Sequence, residues 1–387
     1  MLVRNDNTTG VATALVNARI VLPNDVVVGD IAIADGVIAA GEHSGASEID
    51  FEGDYLIPGL VDIHTDNIEH HFQPRPGVRW PSPVAAVLAH DWQMLGSGIT
   101  TVLDSLSLGD YDTGGARTAM LNAAIGGINT ARDGGLLKSD HYFHFRCELS
   151  DPGLLPILEA HVDDPFVRLL SMMDHTPGQR QWHDIGLYRA FRRKKNNNVW
   201  TDEEFAVYLA ERRAHQAQLV PEARERIVAA AQQRGIRLAS HDDTTLADVE
   251  QSQDDGISIS EFPTTMIAAE RARQLGQQVV MGSPNVVLGG SHSGNVGALE
   301  LAEAGLLDVL TSDYVPASLL HASFVLAERT GNLPAAIATV TSSPAAMSGF
   351  ADRGRIAPGL RADLLRVRVV DGLPVIRGIW AAGQRYA

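Results

Sequence analysis

One cysteine, Cys147, stands among 387 residues, which excludes an intrachain disulfide framework and any zinc site built on several thiolates. A metal would have to be held by histidine and carboxylate. No apolar run approaches the roughly 18 residues of a membrane span. The first twenty residues lack a basic stretch followed by a continuous apolar segment and a cleavage site. The expectation is a cytoplasmic protein without membrane contact. Positive charge is scarce: 31 Lys and Arg face 47 Asp and Glu, a formal net charge of -16. Non-specific nucleic-acid and anionic-membrane binding are excluded, since both need basic patches. A polyanionic substrate would need local cations or metal to overcome the same field.

The 45% apolar and 20% charged content is that of an ordinary globular protein. The length suits one α/β barrel of about 250 residues or more plus a smaller unit. From Ala12 to Asp54 the chain reads as short strands with a hairpin turn at Asp35-Gly36. From Tyr55 it becomes apolar strand, amphipathic helix, apolar strand, the pattern of βα units around a parallel sheet. Eight barrel strands are predicted near 56–64, 99–105, 142–148, 167–174, 236–242, 256–260, 278–283 and 306–313. The spacing predicts helix over 202–234, ended by Gly235 and divided in two by Pro221, and an exposed loop over 192–198. The last thirty or so residues return to strand-like alternation, completing a small domain from both chain ends. The predicted division is 1–55 with 354–387 for that domain, and 56–353 for the barrel.

Reactive groups of parallel barrels sit where strands end, because the following loops converge over one mouth. The first predicted strand ends in His64-Thr65-Asp66, the third in Glu148, the fourth in Asp174-His175, the fifth in His241-Asp242-Asp243 and the eighth in Asp313. A lone His or Asp is usually a hydrogen-bonded surface residue; five strand ends carrying such groups argue against accident. His64 and Asp66, two apart on extended chain, point to one side and can grip one ion. Cys147, next to Glu148, points the other way and is structural.

The segments 57–64, 98–102 and 358–363 resemble the first strand, the second strand and the C-terminal return of the amidohydrolase superfamily. His-x-Asp replaces that superfamily's usual His-x-His on the first strand. HTDNIEHHFQPRPGVRWP (64–81), HFRCEL (144–149), MDHTPGQRQ (173–181), SHDD (240–243) and GSHSGN (290–295) resemble a narrower family, the alpha-D-ribose 1-methylphosphonate 5-triphosphate diphosphatases of bacterial phosphonate use. The resemblance implies an amidohydrolase-type (β/α)8 barrel with a small β-sandwich domain formed by both ends. It also implies hydrolysis of a phosphorylated sugar with release of pyrophosphate.

Carried over position by position, it makes His64, Asp66, His241 and Asp313 metal-site residues and Glu148 a carboxylate bridge between two ions. His175 would be a further ligand or substrate contact, and Glu261 competes as a ligand. One or two divalent ions are expected, zinc first, with manganese and iron suited to the same donors. Asp313 would accept the proton of the attacking water. Substrate contacts are expected from Asn67, His70, Arg75, Arg79, Gln179, Arg180, His292 and Asn295, with Arg75, Arg79 and Arg180 clamping phosphate oxygens from loops. A homo-oligomer is compatible with these features. The alternatives are a C–N hydrolase, such as a deaminase or cyclic amidase, and a catalytically silent barrel used as a scaffold.

Overall fold

A computed structural model of the protein describes residues 12–40, 45–109, 116–196, 199–291 and 294–387. Its first five strands are β1 (Thr13–Val21), β2 (Val26–Ala34), β3 (Val37–Ala39), β4 (Ser47–Asp50) and β5 (Tyr55–Pro58). Eight barrel strands follow: β6 (Leu60–Thr65), β7 (Ile99–Leu108), β8 (Asp140–Glu148), β9 (Val167–Met173), β10 (Arg237–His241), β11 (Ile259–Glu261), β12 (Gln278–Gly282) and β13 (Val309–Thr311). The chain ends in β14 (Leu364–Val370), β15 (Leu373–Ala381) and β16 (Gln384–Arg385).

Both chain ends build one sheet, in the order β16-β15-β14-β5-β1-β2-β3 with β4 on β1. The expected hairpin is present, since Ala34 pairs with Val37 across Asp35 and Gly36, both left-handed, as a two-residue turn of this kind requires. The sheet curls until that turn meets the segment leading into β14, where Ile38 N–H donates to the Leu360 carbonyl and Ala362 N–H to the Gly36 carbonyl. Inside the curl lie Leu15, Phe51, Leu56, Leu364 and Trp380. The run at 56–64, read as one strand, is two strands: up to Pro58 it pairs with β1 and β14, and only from Leu60 does it enter the barrel.

The parallel barrel runs from β6 to β13 in sequence order. It closes where Asp313 N–H donates to the His64 carbonyl (2.9 Å) and Asp66 N–H to the Asp313 carbonyl (3.1 Å). Val61, Ile63, Leu103, Leu169, Ala239, Ile259, Val280 and Val309 fill the interior below the mouth, as small barrels require. Around them run the helices, among them Asp202–Arg234, which starts in a Thr201/Glu204 capping box and ends at left-handed Gly235. This helix does not divide at Pro221. Pro221 is on the exposed side, where water can serve the carbonyl that loses its N–H partner. The stretch 192–198 is also not simply a loop: through residue 196 it belongs to the helix Ile185–Asn196, and 197–198 lie outside the described residues. Among the described residues, no helix is long and apolar enough to cross a membrane.

Candidate metal centre

Strand alternation along β8 turns Phe143, Phe145 and Cys147 out under the helices, and sends His144, Arg146 and Glu148 inward to partners at the mouth. On β6 simple alternation would put Ile63 inside and His64 outside. The register against β7 shifts there, with Asp62 opposite Val102 but Thr65 opposite Asp104. The extra residue is a bulge, and it brings the His64 ring into the barrel, 5.0 Å from the His144 ring.

Three side chains then converge. His175, just beyond β9, sets Nδ1 2.6 Å from Glu148 Oε2, and His241 sets Nδ1 2.9 Å from Glu261 Oε2. A carboxylate at Nδ1 assigns the proton to that nitrogen and leaves Nε2 as a lone-pair donor. Both Nε2 atoms face Asp242 Oδ2, at 3.8 and 3.6 Å. These separations are too long for hydrogen bonds and suit donors sharing one ion at about 2 Å each. Asp242 Oδ2 is buried with no hydrogen-bond partner among the described residues.

A second group adjoins the first through Glu261, whose other oxygen lies 2.7 Å from His64 Nδ1 and whose Oε2 is 4.0 Å from His144 Nε2. The His64 and His241 rings stack 6.0 Å apart. Asp66 Oδ2 accepts from Arg146 Nη1 at 3.1 Å, while Asp66 Oδ1 is buried without a partner among the described residues. Asp242, Phe262 and Asp313, each at or just past the end of a barrel strand, adopt left-handed backbone (φ 59°, 56° and 55°). For a phenylalanine that conformation is costly. It places the Phe262 ring 5.0 Å from His64 and 5.3 Å from His241, walling the cluster on an apolar side.

Burial holds His64 and His241 down to about 3, so both are neutral donors at pH 7. Burial likewise pushes Asp242 up to about 6, against the opposing charges of His175 and Arg146. It pushes Asp313 up to about 7, helped by the negative charges of Asp66, Glu261 and Asp62. The neutral imidazoles of His64 and His241, carboxylate oxygens unpartnered among the described residues, and carboxylates pushed upward mainly by burial form a donor set that a divalent cation would stabilise.

A separate buried cluster does not share this character. Asp104 on β7 takes His90 Nε2 and His141 Nδ1, each at 2.7 Å, while the remaining nitrogens face Asn67 (3.1 Å) and Asp91 (3.3 Å). Its nitrogens already meet neighbours in the protein, and it ties elements together.

Of the residues singled out in the sequence, His64, Asp66, His175 and His241 come together at the mouth, and Asp313 closes the barrel beside them. Glu148 has a different place from the expected bridge: both of its oxygens are bonded, to His175 and to Ser150. Glu261 stands between His64 and His241 instead. Asn67 is buried with its amide turned to His90 and Gln93, so it faces away from the ligand cluster. Arg180 is not a free loop arginine; it is buried and bonded to Asp243 and to the His241 carbonyl. His70, Arg75 and Arg79 are exposed, Gln179 and Asn295 half-buried, and His292 lies outside the described residues. Sequence reasoning missed His144 and Arg146, and named Asp242 at the fifth strand end without choosing it over Asp243. The first two share the parity of Glu148 and were open to a count in twos; Asp242 was indistinguishable from Asp243 until the left-handed turn separated them.

No protein-family model matches the chain. It is 44% identical over 375 residues to the alpha-D-ribose 1-methylphosphonate 5-triphosphate diphosphatase of Escherichia coli (strain K12), covering 95% of this chain and 98% of that one. It is 26% identical to an imidazolonepropionase of Deinococcus deserti over 91% of this chain and 90% of that one. Among solved structures, N-isopropylammelide isopropylaminohydrolase from Burkholderia multivorans superposes with a TM-score of 0.62 at 17% identity, over 97% of this chain and 98% of that one. Dihydropyrimidinase from Brevibacillus agri gives 0.62 at 14%, over 97% and 94%. At such identities the structures speak to fold alone.

Proposed function

Because the chain belongs to the alpha-D-ribose 1-methylphosphonate 5-triphosphate diphosphatase family, on an amidohydrolase-type barrel, we propose the following division of labour at its mouth. The chain is a hydrolase of a phosphoric anhydride: water attacks a phosphorus of the ribose 5-triphosphate, pyrophosphate leaves, and ribose 1-methylphosphonate 5-phosphate remains. One observation carries this, the near-full-length 44% identity to the diphosphatase, in a chain whose mouth gathers a hydrolytic donor set. The C–N hydrolases among the structural relatives share the architecture, which does not choose a substrate.

His175, His241 and Asp242 would hold one divalent ion, and His64 with Asp66 a second where two are bound. Such an ion lowers the pKa of bound water to roughly 7 and neutralises charge on phosphate oxygens. Zinc, manganese and iron all suit these donors. Glu148 and Glu261 keep the imidazoles oriented by accepting at Nδ1. Asp313, held near neutral pH by its surroundings, takes the proton of the attacking water. Phe262 keeps bulk water off the imidazole side of the cluster.

Replacing Asp313 with Asn removes the proton acceptor while leaving the backbone closure in place. The Asn variant is expected to keep its fold and metal complement and to lose turnover by at least a hundredfold, within the 10²–10⁴ range typical of general-base loss. Wild-type turnover in the metal-saturated variant would defeat the assignment. Assaying the ribose triphosphate beside a cyclic amide tests the reaction class, and turnover of the amide alone would overturn it.

A further inference from the structure

We propose that the Nε–Nη2 edge of Arg146 binds a phosphoryl group of the substrate beside the metal-ligand cluster. This rests on the diphosphatase reading above and assigns its phosphate subsite to a residue inside the barrel. Arg146 lies on β8 between His144 and Glu148, two strand positions from each. Its guanidinium acts electrostatically on His64, His241, His175, Asp242 and Asp313, so it is central to the mouth. Nη1 donates to Asp66 Oδ2 at 3.1 Å. Nε is buried and meets no acceptor among the described residues.

A buried N–H without an acceptor is unfavourable and calls for a partner. Here it belongs to the edge of a guanidinium, where Nε–H and Nη2–H run parallel and match two oxygens of one phosphoryl group. The neighbouring carboxylate Glu148 is turned instead to Ser150 and His175. The other guanidinium acting on Asp242, that of Arg180, is bonded to Asp243 and a carbonyl. Arg75 and Arg79 sit on the exposed stretch after the short helix Ile68–Phe72. The net charge of -16 makes a fixed cation at the reacting end more necessary still. The competing role is balance of the Asp66 charge alone, which needs one N–H and no fork.

The test uses the full-length, metal-loaded protein with Arg146→Lys and Arg146→Met. Pyrophosphate inhibition, KM for the ribose triphosphate and metal content are measured together. Lysine keeps the charge and loses the fork, so a tenfold or greater loss of pyrophosphate affinity, a comparable rise in KM and an unchanged metal complement are expected. The Met variant should lose more. Parental affinity and KM in both variants would overturn the proposal. Affinity lost only together with metal would also overturn it, since the arginine would then serve Asp66. Should neither variant fold, pyrophosphate protection of Arg146 in the wild type from phenylglyoxal, read by peptide mass, decides: protection supports the subsite and its absence removes it. A wild type that binds pyrophosphate through Arg146 but leaves the ribose triphosphate intact would sink the diphosphatase reading alone. An active wild type with indifferent variants would sink only the arginine subsite.

Discussion

At the scale of the residue, the candidate centre turns on which of two adjacent aspartates faces the imidazoles. Asp242 Oδ2 stands 3.8 and 3.6 Å from the Nε2 atoms of His175 and His241, whereas Asp243 is occupied by Arg180 and Ser240. Replacing Asp242 with Ala should therefore lower ion affinity at least tenfold, the low end of what even an orienting partner contributes at a metal site. Asp243→Ala should leave metal bound and unsettle Arg180 instead. Elemental analysis after dialysis against matched metal buffer separates them, and equal metal in Asp242→Ala and wild type would refute the assignment. That His64, Asp66, His241 and Asp313 would reach one mouth was legible because each lies at or just past the end of an apolar run on a barrel strand. The choice of Asp242 was not, because it depends on one left-handed φ that no side-chain pattern announces.

Elements are joined by polar chains as well as by apolar packing, and one such chain is buried beside β7. His90 on the helix Pro83–Gly96, Asp104 on β7 and His141 on β8 share one carboxylate, with Asp91 at the far imidazole nitrogen. Burial works against charge on His141, but Asp104 and Asp91 outweigh it and hold its pKa up to about 9. The folded value exceeds the unfolded 6.5, so this contribution is complete below about pH 6.5 and is lost as pH rises through 9. Asp104→Asn strips two buried imidazoles of their shared anion, and breaking such a pair typically costs about 3 kcal/mol or more. Thermal denaturation should show that loss at pH 6 and a smaller difference from wild type at pH 9.5; an equal deficit at both would rule out the charged pairing. The strands were readable from apolar runs and turn residues. The bulge at His64 and the helix running past Pro221 were not, since both depend on what the neighbouring element or solvent offers the backbone.

The whole molecule carries a formal charge of -16, spread over a barrel and a sheet from both ends, while its proposed substrate is a polyanion. At about 10 mM salt the Debye length is near 30 Å, so an approaching triphosphate feels most of that field; at about 150 mM it falls to roughly 8 Å. The attraction that seats the substrate acts at short range, from Arg146 and any bound ion, within a mouth where pairs are screened much less. Added KCl should thus remove the repulsion before the attraction. We expect kcat/KM for the ribose triphosphate to rise severalfold between these two salt concentrations at fixed divalent metal. Turnover at saturation should stay within about twofold, because the chemical step takes place where mobile ions barely reach. Encounter and chemistry are separated by that contrast. A steady fall of kcat/KM with salt would mean that the mouth projects a positive potential outward and that the overall charge has no part in capture.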